Sequence, residues 1–215
     1  MSITLLCKIS LVIGSYLFGA FPTAYVIHKI KKGDDIRKYG SGNVGGTNVT
    51  RTLGAVYGVA TIIFDMIKGF IPILVLYFIY PEDLILLAIV SVAVIIGHDF
   101  PVYIKFKGGK GIATSFGAIV GVSSLPFLNN LLWLEILPIF IILITWAIVF
   151  LIFRIVSVAS LAAAIANPLA FLFTKYPLAI VIAAVCWSVL IFITHRENIK
   201  RLIEREEKKL KRKEA

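Results

Sequence analysis

Apolar residues gather in long runs along the chain, separated by short polar segments rich in Gly, Lys and Arg. A membrane-spanning helix needs about 20 mostly apolar residues. Seven runs approach that length, at roughly 3–28, 54–80, 84–102, 112–128, 131–153, 155–174 and 177–195. Gly and Ser dilute the fourth, and Pro126 lies near its end. Pro138 predicts a kink in the fifth, and Asn167-Pro168 an interruption in the sixth, because proline removes a helical hydrogen bond. Five or six complete spans are therefore also compatible with the pattern. No internal repeat is visible, so the inverted-repeat plan common in transporters gains no support. The pattern predicts an all-α, polytopic transmembrane helix bundle of about seven spans. It forms one integral-membrane domain over residues 1–200, followed by a basic tail, 201–215, expected as a solvated surface helix.

Composition agrees with a membrane protein. The 215 residues are 59% hydrophobic and only 16% charged, with a mean hydropathy of +0.94; a soluble domain carries about a quarter charged residues. The net charge of +10 raises nucleic acid as a partner. Its distribution argues for a bilayer and no nucleic acid. With the N-terminus outside and seven crossings, 19 of the 22 basic residues fall on the inner side, as the positive-inside rule requires. Lys8 and Lys175 fall outside, Lys68 lies within a span, and Glu82-Asp83 marks an outer turn. This predicts N-out and C-in in a cell membrane. Cys7 and Cys186 sit in apolar runs and form neither a disulfide framework nor a metal pattern. His28, His98 and His195 lack metal-ligand spacing, so no metal is expected. The first apolar run lacks a basic n-region and an A-x-A site, and reads as a retained span.

The same parity puts nearly every polar, glycine-rich segment on the cytoplasmic side. Four could converge there: GSGNVGGTNVTR (40–51), GHDFPVYIKFKGGKGIAT (97–114), RIVSVAS (154–160) and THRENIKRL (194–202). In the first, Gly42, Gly45 and their neighbours let a ligand approach backbone N–H groups, which in such turns form anion-binding nests. Ser41, Asn43, Thr47 and Asn48 add neutral hydrogen-bonding groups, and Arg51 adds a guanidinium that matches phosphate. A plain tight connection between spans is the alternative. In FKGGKG, Gly108 and Gly109 stand between Lys107 and Lys110. Gly111 follows Lys110 where a Walker A motif needs Ser or Thr, so a nucleotide-hydrolase loop is excluded. What remains is phosphate binding, with positive-inside anchoring as the alternative for the lysines.

His195, Arg196, Glu197 and Asn198 lie where the last span meets water. A histidine there serves as a base near neutral pH or simply as an interfacial residue; His98 is open to the same two readings, and His28 reads as interfacial. Ser157 and Ser160 suit either helix capping or ligand contact. Asp65 and Lys68 share one face of the second span. Intramembrane charges usually pair or face the bundle interior, so this pair fixes packing or supports the first glycine loop. On residues alone, a phosphate or phospho-metabolite carrier remains open beside an enzyme.

GSGNVGGTNVTR, GHDFPVYIKFKGGKGIAT and HRENIKRL, in that order and spacing, resemble the three signature motifs of the bacterial membrane acyl-phosphate:glycerol-3-phosphate acyltransferases. FDMIKGFIP (64–72) and RIVSVAS are similar to further segments of that family, so the resemblance covers nearly the whole chain. Two positions depart from it. Gly46 stands where the family more often has Ala. In the continuation R-L-x-x-G-x-E, Arg201, Leu202 and Glu207 fit, but Arg205 replaces the Gly.

The resemblance implies transfer of a fatty acyl group from acyl phosphate to the 1-hydroxyl of glycerol 3-phosphate. The products would be lysophosphatidic acid and inorganic phosphate, at the first step of phospholipid synthesis. It implies no cofactor, and a separate enzyme supplying the acyl phosphate. The H-x-x-x-x-D dyad of other glycerol-phosphate acyltransferases is missing: five residues after His28, His98 and His195 stand Gly33, Tyr103 and Lys200. Carried onto this chain, His195, Asn198 and Asn43 are the expected catalytic groups. Ser41, Gly42, Gly45, Thr47, Asn48, Arg51, Lys107, Gly108, Gly109, Lys110, Ser157 and Arg196 are the expected substrate-binding groups. Either His195 or a substrate phosphate would take the hydroxyl proton.

Overall fold

The structure, a computed structural model, describes residues 3–124 and 132–207. Ten helices and two short 3-10 turns account for the regular structure, with no strand among the described residues. Helices α1 (Ile3–Gly19) and α2 (Thr23–Lys32) form one long rod with a break at Pro22. α3 (Gly46–Leu53) and α4 (Ala55–Ile79) meet at Gly54, whose φ of 94° lets the chain turn without a gap. α5 (Leu84–Asp99) begins at Asp83, whose side chain accepts the Leu86 N–H at 2.9 Å as an N-cap. α6 (Ile112–Ser124), α7 (Leu132–Phe153), α8 (Val156–Phe173), α9 (Leu178–Thr194) and α10 (Arg196–Ile203) follow.

Five segments are long and apolar enough to cross a membrane: α1–α2, α4, the α5 segment to Ile104, α7 and α8. A sixth is α9 with α10, if that pair, bent by 58°, counts as one span. Of the expected fourth span, 112–128, the described part is α6, with 13 residues against the roughly 20 that a crossing needs; the rest of that run, with Pro126, lies outside the described residues.

The interruption expected at Asn167-Pro168 is absent, since α8 runs through Pro168; α7 is likewise one helix through Pro138, where a kink was expected. Pro168 cannot donate to the carbonyl of Ala164, and that carbonyl instead accepts the Ser188 hydroxyl at 2.6 Å. A donor from the neighbouring helix thus replaces the lost bond.

Glycine sets how close the helices come. A Cβ at Gly19 would overlap the Val94 carbonyl, and one at Gly97 would overlap that of Tyr16, so α1 and α5 touch backbone to backbone. Gly69 and Gly117 do the same for α4 and α6. Small residues allow such contacts where lipid gives no hydrophobic drive to association. The main core lies between α4, α5, α6, α8 and α9, around Ile73, Val94, Phe171 and Trp187. A second cluster, with Ile36, Val44, Val49 and Ile104, joins the polar loops at one end of the bundle.

The Asp65–Lys68 pair is internal. Lys68 Nζ lies 2.9 Å from Asp65 Oδ1 and donates to the Phe21 carbonyl at 2.9 Å, while Thr23 donates to Asp65 at 2.9 Å. It ties α4 to the break between α1 and α2. Of the expected tail helix, 201–203 belong to α10, which ends at Ile203, 204–207 are not helical, and 208–215 lie outside the described residues.

Candidate active site

The first glycine loop is built around Asn48. Its carboxamide oxygen accepts the Ser41 N–H at 2.9 Å, and its nitrogen donates to the Tyr39 and Asn43 carbonyls, both at 3.0 Å. Asn48 is fully buried, and its amide is committed to holding the loop rather than free for a ligand. Gly40 must be glycine: its φ is 63°, and a Cβ would overlap the Asn48 side chain. Gly42 turns the chain, donating to the Tyr39 carbonyl at 3.0 Å. Gly45 then starts α3 without a side-chain cap. The N–H groups of Gly46 and Thr47 have no partner among the described residues, and neither has the Asn43 side chain. The Arg51 guanidinium, in the last turn of α3, also has no hydrogen bond or ion pair among the described residues. Unpaired backbone donors at a helix start, with a free guanidinium nearby, form an anion seat.

The second loop divides its work differently from expectation. The Gly108 and Gly109 N–H groups are already used, donating at 3.2 Å to the carbonyls of Asp99 and His98. A Cβ at either position would overlap His98. These glycines seat the loop on the end of α5. Lys107 points into solvent, and Lys110 turns inward to Asn198 Oδ1. Burial lowers the Lys110 amine to about 8, with Arg201 and Arg51 pushing the same way and Glu207 opposing.

The third element is the bend between α9 and α10. His195 sits at the bend, 2% exposed, with Nδ1 2.8 Å from the Ile191 carbonyl. A carbonyl only accepts, so Nδ1 carries the proton and Nε2 keeps its lone pair. Burial lowers the imidazole to about 4, reinforced by Lys110. Asn198 bridges Lys110 to Glu207, donating to Glu207 Oε1 at 2.6 Å. Ser157 also donates to that oxygen, at 3.0 Å, and Arg201 Nε donates to Oε2 at 2.6 Å. Burial works to raise the Glu207 carboxyl, but hydrogen bonds from Arg201, Asn198 and Ser157 hold it below its ordinary value. Arg196 is 72% exposed by side chain, with Nε 3.8 Å from Glu197 Oε1.

These groups share one cavity of about 790 Å³. Ser41, Asn43, Gly45, Thr47, Asn48, Arg51, Lys110, Ser157, His195 and Asn198 line it, whereas Gly42, Lys107, Gly108, Gly109 and Arg196 do not. Arg201 and Glu207 line it as well and were not among the expected site residues. The signal for them was the R-L-x-x-G-x-E continuation. Arg205, in place of that Gly, still takes a positive φ of 59°, and so turns the chain back and returns Glu207 to the mouth. Beyond the polar mouth the lining becomes apolar, with Met66, Phe116, Ile119, Ile142, Leu143 and Trp146 from α4, α6 and α7. One end can hold anions and the other an alkyl chain. Among the described residues, no group of three or more His, Cys, Asp or Glu could hold a metal.

Comparison with known proteins gives a consistent result. A family model described as glycerol-3-phosphate acyltransferase matches residues 9–205. The glycerol-3-phosphate acyltransferase of Endomicrobium trichonymphae is 41% identical over 207 residues, covering 96% of this chain and 98% of that one. That of Aquifex aeolicus is 42% identical over 194 residues, covering 90% and 94%. The crystal structure of PlsY (YgiH), an integral membrane glycerol 3-phosphate acyltransferase, in its glycerol 3-phosphate form superposes with a TM-score of 0.84. It shares 37% identity over 95% of this chain and 96% of that chain. Its lysophosphatidic acid form gives 0.81 at 36% identity, with the same coverage.

Proposed function

Because the chain belongs to the glycerol-3-phosphate acyltransferase family, an integral-membrane family of phospholipid synthesis, we propose the specific reaction. The enzyme transfers a fatty acyl group from acyl phosphate to the 1-hydroxyl of glycerol 3-phosphate. The hydroxyl oxygen bonds to the acyl carbonyl carbon, the bond from that carbon to the bridging phosphate oxygen breaks, and inorganic phosphate leaves. The other product is lysophosphatidic acid. The observation that carries this reading is the single cavity, whose cationic mouth, with Arg51 unpaired, is continuous with an apolar limb.

Arg51, Lys110 and the free N–H groups of Gly46 and Thr47 bind the two phosphates. Asn43 donates to the carbonyl oxygen as charge grows on it, and a donor of that kind is worth about 10²–10³ in rate. Holding two anions against their repulsion is the larger task, and positioning alone supplies roughly 7–11 kcal/mol in favourable cases. Asn198 and Glu207 keep the Lys110 amine in place, with Ser157 and Arg201 holding Glu207.

The proton has two possible acceptors. His195 Nε2 can accept the hydroxyl hydrogen bond, but its imidazole sits at about 4. The other acceptor is the leaving phosphate oxygen, which gains negative charge as its bond to the acyl carbon breaks and so becomes the stronger base during transfer. It takes the proton, and His195 orients the hydroxyl. The charge asymmetry of the chain supports N-out, C-in and a cavity mouth facing the cytoplasm, where glycerol 3-phosphate would enter. A separate enzyme forms the acyl phosphate. The test offers labelled glycerol 3-phosphate with palmitoyl phosphate, palmitoyl-CoA or palmitoyl carrier protein. Labelled lysophosphatidic acid from the phosphate alone is expected; equal product from a thioester would overturn the donor assignment.

A further inference from the structure

The turn that follows α5 carries an apolar surface that the acyl-transfer reading leaves unused. Val102, Tyr103 and Phe106 are 42%, 57% and 58% exposed. Lys105 and Lys107 are exposed beside them. The backbone is constrained to present them. Lys105 and Phe106 both have positive φ, 60° and 58°, a conformation that side-chain-bearing residues enter only against a steric cost. The fold holds it there: Phe106 N–H donates to the Pro101 carbonyl at 2.9 Å. Arg37 Nη1 donates to the Ile104 carbonyl at 3.2 Å and is itself fixed by Asp35, Nη2 to Oδ2, at 2.6 Å.

The depth of this turn follows from two neighbours. Pro101 and Ile104 line the same small cavity as Pro22 and Thr23. Pro22 lies about 28 Å from Ile3 at 1.5 Å per residue, close to the ~30 Å thickness of the hydrocarbon layer. From the far side, Asp83 is level with Lys8 through a 2.6 Å ion pair. Pro101 lies about 27 Å from Asp83 by the same measure. The turn therefore sits at the height of the lipid headgroups. Aromatic rings are enriched at that height, and lysine stems reach from it to water.

We propose that the Val102–Lys107 turn docks into the headgroup layer and binds anionic lipid through Lys105 and Lys107. It thereby sets the height of the loop that carries Lys110. Lys107 N–H bonds to the Ile104 carbonyl at 3.5 Å and Gly108 N–H to that of Asp99 at 3.2 Å, so turn and loop move together. The proposal rests on the membrane placement and not on the choice of acyl donor.

The test uses full-length protein with Cys7→Ser and Cys186→Ser, nitroxide-labelled at Tyr103→Cys, Phe106→Cys or, as an aqueous control, Lys32→Cys. Each is placed in phosphatidylcholine vesicles, with and without phosphatidylglycerol. Collision with oxygen and with a water-soluble nickel complex reports depth. Positions 103 and 106 should lose nickel access relative to 32, and lose more of it when phosphatidylglycerol is present. Lys105→Gln with Lys107→Gln should remove that anionic increment, about fivefold in local lipid enrichment per lysine. Phe106→Trp, quenched by lipids brominated near the headgroup and read as the difference from the parent with its three tryptophans, gives a second reading without a label. Nickel access at 103 and 106 equal to that at 32 would overturn the proposal and leave the surface to a protein partner. Docking that ignores both phosphatidylglycerol and the lysines would overturn the anionic recognition.

Discussion

Lys110 is where charge and pH meet in this cavity. Its amine sits at about 8 rather than 10.5. Below that value it is charged and attracts phosphate; above it, it is neutral and does not. Since kcat/KM reports groups on the free enzyme, kcat/KM for glycerol 3-phosphate should decline above about pH 8. Lys110→Arg should abolish that limb, since a guanidinium stays charged. A pH–rate series on both proteins measures it. His195 makes the opposite kind of prediction. Its folded value of about 4 lies below the ordinary 6.5, so between these pH values the unfolded chain binds a proton that the folded one refuses. Stability contributed through His195 is intact above pH 6.5 and is lost as pH falls toward 4. Denaturation midpoints of His195→Gln should lack that component.

Site chemistry was legible in the sequence where a residue type is itself the signal. Arg51, Lys110, His195 and Asn198 all line the cavity. It was not legible where one residue type serves two purposes. Asn48, Gly108 and Gly109 look like ligand groups in the motif, yet their polar atoms close loops. Only tertiary contacts distinguish a free amide from a committed one.

At the scale of elements, the turn after α10 and the Pro168 site in α8 both depend on one substitute residue. Arg205 occupies a left-handed position that glycine fills at about 1–2 kcal/mol less cost. Arg205→Gly should raise the thermal midpoint and leave the site intact, as measured by unfolding in detergent. In α8, Ser188 supplies the donor that Pro168 cannot. Ser188→Ala leaves the Ala164 carbonyl buried and unpaired, at a cost of about 1–3 kcal/mol. Ser188→Thr should recover most of that. Proline in the sequence predicted a break; the neighbouring helix prevented one, and nothing local to α8 could have announced Ser188. Likewise, apolar length located the long helices but not the close approach of α6 to α4, which Gly69 and Gly117 permit.

For the whole molecule, the polar loops gather at one end and the Lys8–Asp83 pair stands at the other. The proposed topology puts the first end in the cytoplasm. Glu82→Cys in a Cys7→Ser, Cys186→Ser background should react with a membrane-impermeant thiol reagent in intact cells, and Lys200→Cys only after lysis. The reverse pattern would invert the molecule. The central claim is that the Arg51 loop binds phosphate for acyl transfer. Its most direct test is inorganic phosphate release by purified enzyme in lipid, from palmitoyl phosphate with and without glycerol 3-phosphate, beside Arg51→Ala. Release that requires glycerol 3-phosphate and falls by about 10²–10³ in the variant is the predicted result. Release indifferent to glycerol 3-phosphate, or undiminished in folded Arg51→Ala, would contradict it.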